Sequence, residues 1–350
     1  MLHQVRRLLL LVAPFACAFL ASSASAAPAF RDSVLQTGGA RTLALDSSTQ
    51  WGGQTLATDG ETVKIFFSDS YPVDSALALQ WADFMTSLVH GSELATVTVI
   101  LEPLAEVQQT CGGQALACYS ARTATIVAPG DDVGAQTSAK GVLTHEYGHH
   151  VAASRLNPPF ASVDYGTKRW SSYENVCAKT SSGDLFPGAE DLRHYALNPG
   201  EAFAESYRVL NEQKLGLPQE PWDVVTTTLY PDATALSLLE QDVSTPWTAN
   251  SARKLVGTLN SKTRSRTYSV GVPYDGTLKV SPRQSRSVNV GVALLSGGST
   301  VATTGLKRAS GASLSTTVCG QRAFKVRMKL TGVVTKKTKT TVTLLVSTPS

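Results

Sequence analysis

Apolar residues recur along this chain with two different periods, and the change of period divides it. From Thr62 the pattern predicts a strand at 62–68, a helix at 74–90, strands at 95–101 and 121–127, and a helix at 138–154. Leu77, Trp81, Phe84 and Leu88 show the three-and-four spacing that gives a helix one apolar face. Further helices start near Asn198 and Ala233, so the expectation is an α+β unit over 61–247 with its small sheet placed before helix 138–154. Later, Phe324, Val326, Met328 and Leu330 alternate with Lys325, Arg327 and Lys329, the period of a strand buried on one face. Runs of that kind, separated by turns such as Asp275-Gly276 and Gly297-Gly298, predict an all-β sandwich over 263–350. Periodicity fades before it, which places a linker at 248–262. Residues 27–60, rich in Ser, Thr, Gly and Ala, read as an extended lead-in.

Ahead of that lead-in stand Arg6 and Arg7, an apolar run over 8–20, and Ala24-Ser25-Ala26. A cationic start, a short apolar core and small residues at the cleavage point make a secretory signal at 1–26, and the run is too short to span a bilayer. The expectation is a secreted protein of bacterial type with no transmembrane segment after cleavage. Cys17 would leave with the signal, so Cys111, Cys118, Cys177 and Cys319 remain, an even number in an oxidising compartment. Four cysteines allow three pairings. Gly112-Gly113 between Cys111 and Cys118 permits a tight loop and favours that pair; Cys177 and Cys319 would then tie the two units together, or stay free.

Charge changes the picture further. Residues 1–250 hold 14 Lys+Arg and 26 Asp+Glu, whereas residues 251–350 hold 17 and 1. The second unit is therefore expected to meet an anionic polymer or surface, whether cell-wall polymer, membrane headgroups or extracellular DNA, or else to carry its lysines as a solvated surface or to dock onto the acidic first unit. Aromatic residues are sparse there (Tyr268, Tyr274, Phe324), which argues against recognition of nucleic-acid bases.

The candidate chemistry lies at His145-Glu146-Tyr147-Gly148-His149. Residues four apart share a helix face, so two imidazoles can reach one metal ion with Glu146 beside them. At this chain's composition such a motif arises by chance about 0.003 times per sequence of this length. Gly148, costly inside a helix, suggests a close neighbour. A catalytic zinc needs a third protein ligand. Downstream, Ala152 and Arg155 exclude the metzincin continuation, and Trp170 stands where an aspzincin needs its aspartate. What remains is Asn198-Pro199-Gly200-Glu201, with Glu205 four residues on; Glu174 is the rival ligand, but Ala178 stands where its supporting acid would be. Asn198, Pro199 and Glu201 equally suit a helix capping box.

HExxH with a downstream ExxxE resembles the glutamate zincins, or gluzincins, over roughly residues 120–212. By that resemblance one Zn²⁺ per chain is held by His145, His149 and Glu201, Glu205 supports His145, and Glu146 is the general base of a zinc-activated water in a secreted endopeptidase. The spacing from His149 to Glu201 is longer than in thermolysin-like enzymes and closer to that of the lethal-factor type, a resemblance that favours Tyr195 over His194 as the group facing the oxyanion; both equally suit packing at a loop corner. The expected fold is then an α+β zincin-like catalytic domain followed by an all-β sandwich, the latter loosely similar to modules that bacteria append to secreted peptidases. The strand at 121–127 is expected to be the edge that pairs with an extended substrate. A zinc amidase acting on wall peptides, and a non-catalytic adhesion or wall-binding protein, are the competing functions.

Overall fold

The computed structural model describes residues 32–34, 50–191, 193–307 and 309–350. The expected signal at 1–26, with Cys17, lies outside the described residues, as does most of the expected lead-in.

Strands β3 (Thr62–Ser68), β4 (Thr98–Glu102) and β6 (Thr125–Pro129) run parallel in the middle of a six-stranded sheet. All five residues of β4 and of β6 are buried, because helices cover both faces; that is why they read as continuous apolar runs. Helix α1 (Ser75–Ser87), capped by Asp74, and helix α3 (Ala139–Ala153), capped by Ser138, pack on one face over Ile65, Phe67, Val99, Leu101 and Ile126. Helix α2 (Leu104–Cys111) covers the other face, where Val107 meets Ile100 and Val127. The Cys111–Cys118 disulfide ties it to β5 (Ala117–Ser120), which is antiparallel to β6.

Two expectations are corrected at the sheet's rims. The run 121–127 is no edge strand: β6 is hydrogen-bonded on one side to β4 and on the other to β5. The outer side of β5 is taken in turn by β1 (Asp32–Val34), pairing parallel to it. Nor are residues 27–60 only a lead-in, since β2 (Gln50–Leu56) forms the opposite rim, antiparallel to β3. Gly52 and Gly53 blur its alternation, and its anchor is a single aromatic, Trp51 stacked on Phe67 at 4.4 Å.

Below the sheet, short helices α4 (Ser162–Tyr165), α5 (Lys168–Tyr173) and α6 (Val176–Ser182) lead to α7 (Pro199–Leu215) and α8 (Ala233–Ser244). None of these helices is long and apolar enough to cross a membrane, nor is any other among the described residues.

The chain then builds two four-stranded antiparallel sheets facing one apolar core that includes Leu278, Val292, Phe324, Val326, Met328 and Leu344. One sheet runs β11 (Ser299–Leu306), β10 (Val290–Ser296), β13 (Ala323–Leu330), β8 (Ser265–Gly271); the other runs β12 (Leu314–Val318), β9 (Gly276–Gln284), β14 (Lys339–Thr348), β7 (Ser251–Asn260). The expected linker at 248–262 is therefore corrected: β7 pairs with β14 along its whole length, and the module begins at Ser251. As a rim strand β7 keeps few side chains inside, Gly257 and Leu259 being its buried positions, so period two is faint there.

The two regions meet at a joint built from α5, α6 and the turns of the sandwich. Lys168 donates to the carbonyls of Pro158 and Asp275, both at 3.0 Å, and its ammonium lies 4.8 Å from the Trp247 ring. Arg322 pairs with the Asp275 carboxylate and donates to the Ser172 carbonyl at 2.7 Å. The Cys177–Cys319 disulfide closes the joint.

Candidate metal centre

Helix α3 carries His145, Glu146 and His149 in its middle turns, all wholly buried. Helix α7 crosses close behind it, and Gly148 is the reason it can. A Cβ at Gly148 would lie 2.9 Å from the Ala204 Cα and 3.2 Å from the Tyr207 Cβ. The close neighbour expected from the sequence is thus the backbone of α7.

That contact brings the first turn of α7 to the histidines. Asn198 caps the helix by accepting from the Gly200 amide at 3.0 Å, and Pro199 occupies its first position. The Glu201 carboxylate turns to the histidines: its Oε2 lies 3.3 Å from His145 Nε2 and 3.4 Å from His149 Nε2, and the two Nε2 atoms are 3.2 Å apart. The distant Glu174 lies outside this group, its carboxylate 3.7 Å from Lys179 Nζ.

Tyr195 reaches the same corner, its hydroxyl donating to Glu201 Oε2 at 3.0 Å. His194 does not join it. Its Nδ1 faces Asp191 Oδ2 at 3.1 Å and its ring lies 4.0 Å from that of Phe186, so the adjacent residue on this 3₁₀ turn points elsewhere.

Glu205, one turn after Glu201, lies 2.8 Å from His145 Nδ1. Burial pushes the Glu205 carboxyl up, but the His145 hydrogen bond and the Arg208 charge outweigh it and hold the group below the usual carboxylate range. With Glu205 anionic, His145 donates Nδ1–H to it, which leaves Nε2 as a lone pair turned toward Glu201 and His149. Sequence reasoning misses what holds Glu205. Arg208 donates to it from Nε at 3.1 Å and from a terminal nitrogen at 2.5 Å, and also pairs with Glu212. The signal that could reveal it is the spacing of three and four residues along one helix.

The donor set fits a small divalent cation. A tetrahedron with arms of about 2.0–2.1 Å has edges of about 3.3–3.4 Å, and the three donor separations fall near that length. Two imidazole nitrogens and a carboxylate oxygen converging in a buried corner need a cation or shared protons between them. A cavity of about 720 Å³ opens beside the first turn of α3, lined by Trp81, Asp132, Lys140 and Arg208 and not by the donors themselves.

No protein-family model matches the sequence, and no curated protein does. Among solved structures, one slight similarity is to the pre-peptidase C-terminal domain of a collagenase from Bacillus anthracis (12% identity, 28% of this chain and 89% of that one, TM-score 0.22). A mitogen from Yersinia pseudotuberculosis (10% identity, 28% and 86%, TM-score 0.23) is similar to the same extent. So is a carbohydrate-binding module in complex with calcium and xylotriose (16% identity, 27% and 86%, TM-score 0.20). Likenesses this slight carry no argument about function.

Proposed function

We propose that the mixed α/β region is the catalytic domain of a secreted, zinc-dependent endopeptidase of gluzincin type. The observation that carries the reading is the buried triangle of His145 Nε2, His149 Nε2 and Glu201 Oε2, with Glu146 on the same helix. Zinc bound there would supply Lewis acidity, polarising the scissile carbonyl and making water acidic near neutral pH. The chain's own residues do the rest. Glu205, held by Arg208, fixes the ring of His145 and its tautomer. Glu146 takes the proton of the attacking water and hands it to the leaving amine. Tyr195, whose hydroxyl already sits at the donor corner, turns to stabilise the oxyanion.

Metal content measured beside casein cleavage, for the parent and for Glu146→Gln, tests this. About one zinc per chain in both, with turnover falling by about 10²–10⁴ in the variant, is the expected result. Absence of bound zinc in the parent would overturn it, and equal cleavage by both would remove Glu146 from the mechanism.

A further inference from the structure

The sandwich carries 17 Lys+Arg against one acidic residue over 251–350. That acid, Asp275, is buried in the joint and already paired with Arg322. No Asp or Glu of the module is left to neutralise its outer face.

The cations are ordered on that face. Lys325, Arg327 and Lys329 alternate along β13 with the buried Phe324, Val326, Met328 and Leu330, so all three project outward and are exposed. Residues directly opposite across a sheet share a face. On β8 those are Ser269, Thr267 and Ser265; on β10 they are Leu295, Ala293 and Gly291. These neighbours are uncharged and, apart from Leu295, short, so the column stands clear of the sheet. Successive members are about 6.8 Å apart, two strand residues of about 3.4 Å each. Like charges at that spacing repel, and surfaces ordinarily interleave the two signs. The column starts beside the joint at Arg322 and runs outward toward the turn holding Lys336 and Lys337.

We infer that this column is a docking track for a linear poly(polyol phosphate) chain. Two strand residues span six backbone bonds; a polymer with three carbons between phosphates also repeats every six bonds, so its phosphates fall in register with the cations at about 7 Å. A single-stranded nucleic acid has a six-bond repeat as well, but its affinity draws on stacked bases. Here Phe324 is buried in the core and Tyr268 donates its hydroxyl to the Val256 carbonyl at 2.7 Å. The track does not depend on the metal centre, so either can fail alone.

The test uses the full mature chain and a labelled glycerol-phosphate oligomer, with affinity followed against salt. Replacing Lys325, Arg327 and Lys329 with serine should weaken binding about tenfold or more and lower the slope of log K against log salt by about 2, at about 0.7 per phosphate. Replacing Lys336 and Lys337 should cost less, and unchanged melting of both variants would show that the fold is intact. An equal loss from the two variants would overturn the placement on β13. A polyuronate bound as tightly as the glycerol phosphate would overturn the repeat argument, and a tighter oligothymidylate would move the surface to nucleic acid.

Discussion

The two regions handle charge by opposite rules. In the mixed α/β region, several ionic side chains go inside and are matched there: Glu93 with Arg155 at 2.8 Å, Asp242 with Arg169 at 2.7 Å, Glu205 and Glu212 with Arg208. In the sandwich one buried acid serves the joint, and among the described residues the cations other than Arg322 are exposed. Buried matched charges fix geometry at the cost of desolvation, which suits a region that must hold three donor atoms within a few ångströms. Exposed unmatched charges fix nothing inside the fold but act on whatever approaches.

The sharpest way to break the contrast is to remove Arg208. Arg208→Met should leave Glu205 and Glu212 buried without a cation and destabilise the chain by about 3–5 kcal/mol in denaturant unfolding. A loss under about 1 kcal/mol would mean that the buried network is not what fixes α7. The joint, where the two rules meet, should give an intermediate effect. Burial lowers the Lys168 pKa to about 8, against the opposing pull of Asp275 and Asp242. The unfolded chain then holds a proton that the folded chain has released between about pH 8 and 10.5. Lys168 therefore contributes a rise in stability with pH, by up to about 1.4 kcal/mol per unit from about pH 8, until near pH 10 the tyrosines Tyr71, Tyr119, Tyr147 and Tyr207, whose hydroxyls burial pushes up, begin to oppose it. Lys168→Met should flatten that rise when unfolding is followed from about pH 7 to 10; an unchanged slope would assign it to other groups.

The same contrast sets what can be read from the sequence. Helices α1 and α3 are legible because Asp74 and Ser138 cap periodic runs, and the HExxH spacing is a local property of α3. Glu201 and Glu205 are legible as a pair of acids four apart, although choosing Glu201 over Glu174 takes a resemblance. Strands β2 and β7 escape sequence reading for one reason: each is a rim with few buried positions, and in each a glycine interrupts the pattern. Tyr195 and His194 are indistinguishable in sequence because a 3₁₀ turn separates adjacent side chains only once it is folded. Gly148 announces a close approach, but only α7 shows to what.

The smallest effect is expected where the sandwich alone is tested. Replacing Lys325, Arg327 and Lys329 with serine removes three charges that make no ion pair with any described residue. Surface substitutions away from special backbone or packing features usually fall within about 0.5 kcal/mol, and relief of repulsion along β13 pushes in the stabilising direction. The melting temperature of the variant should therefore stay within a few degrees of the parent or rise slightly. A clear fall would mean that the column is held by the fold as the buried charges are, and the two regions would no longer follow different rules. An unchanged or raised melting temperature beside lost polymer binding would show the separation directly, with stability residing in the matched interior and attachment in the unmatched face.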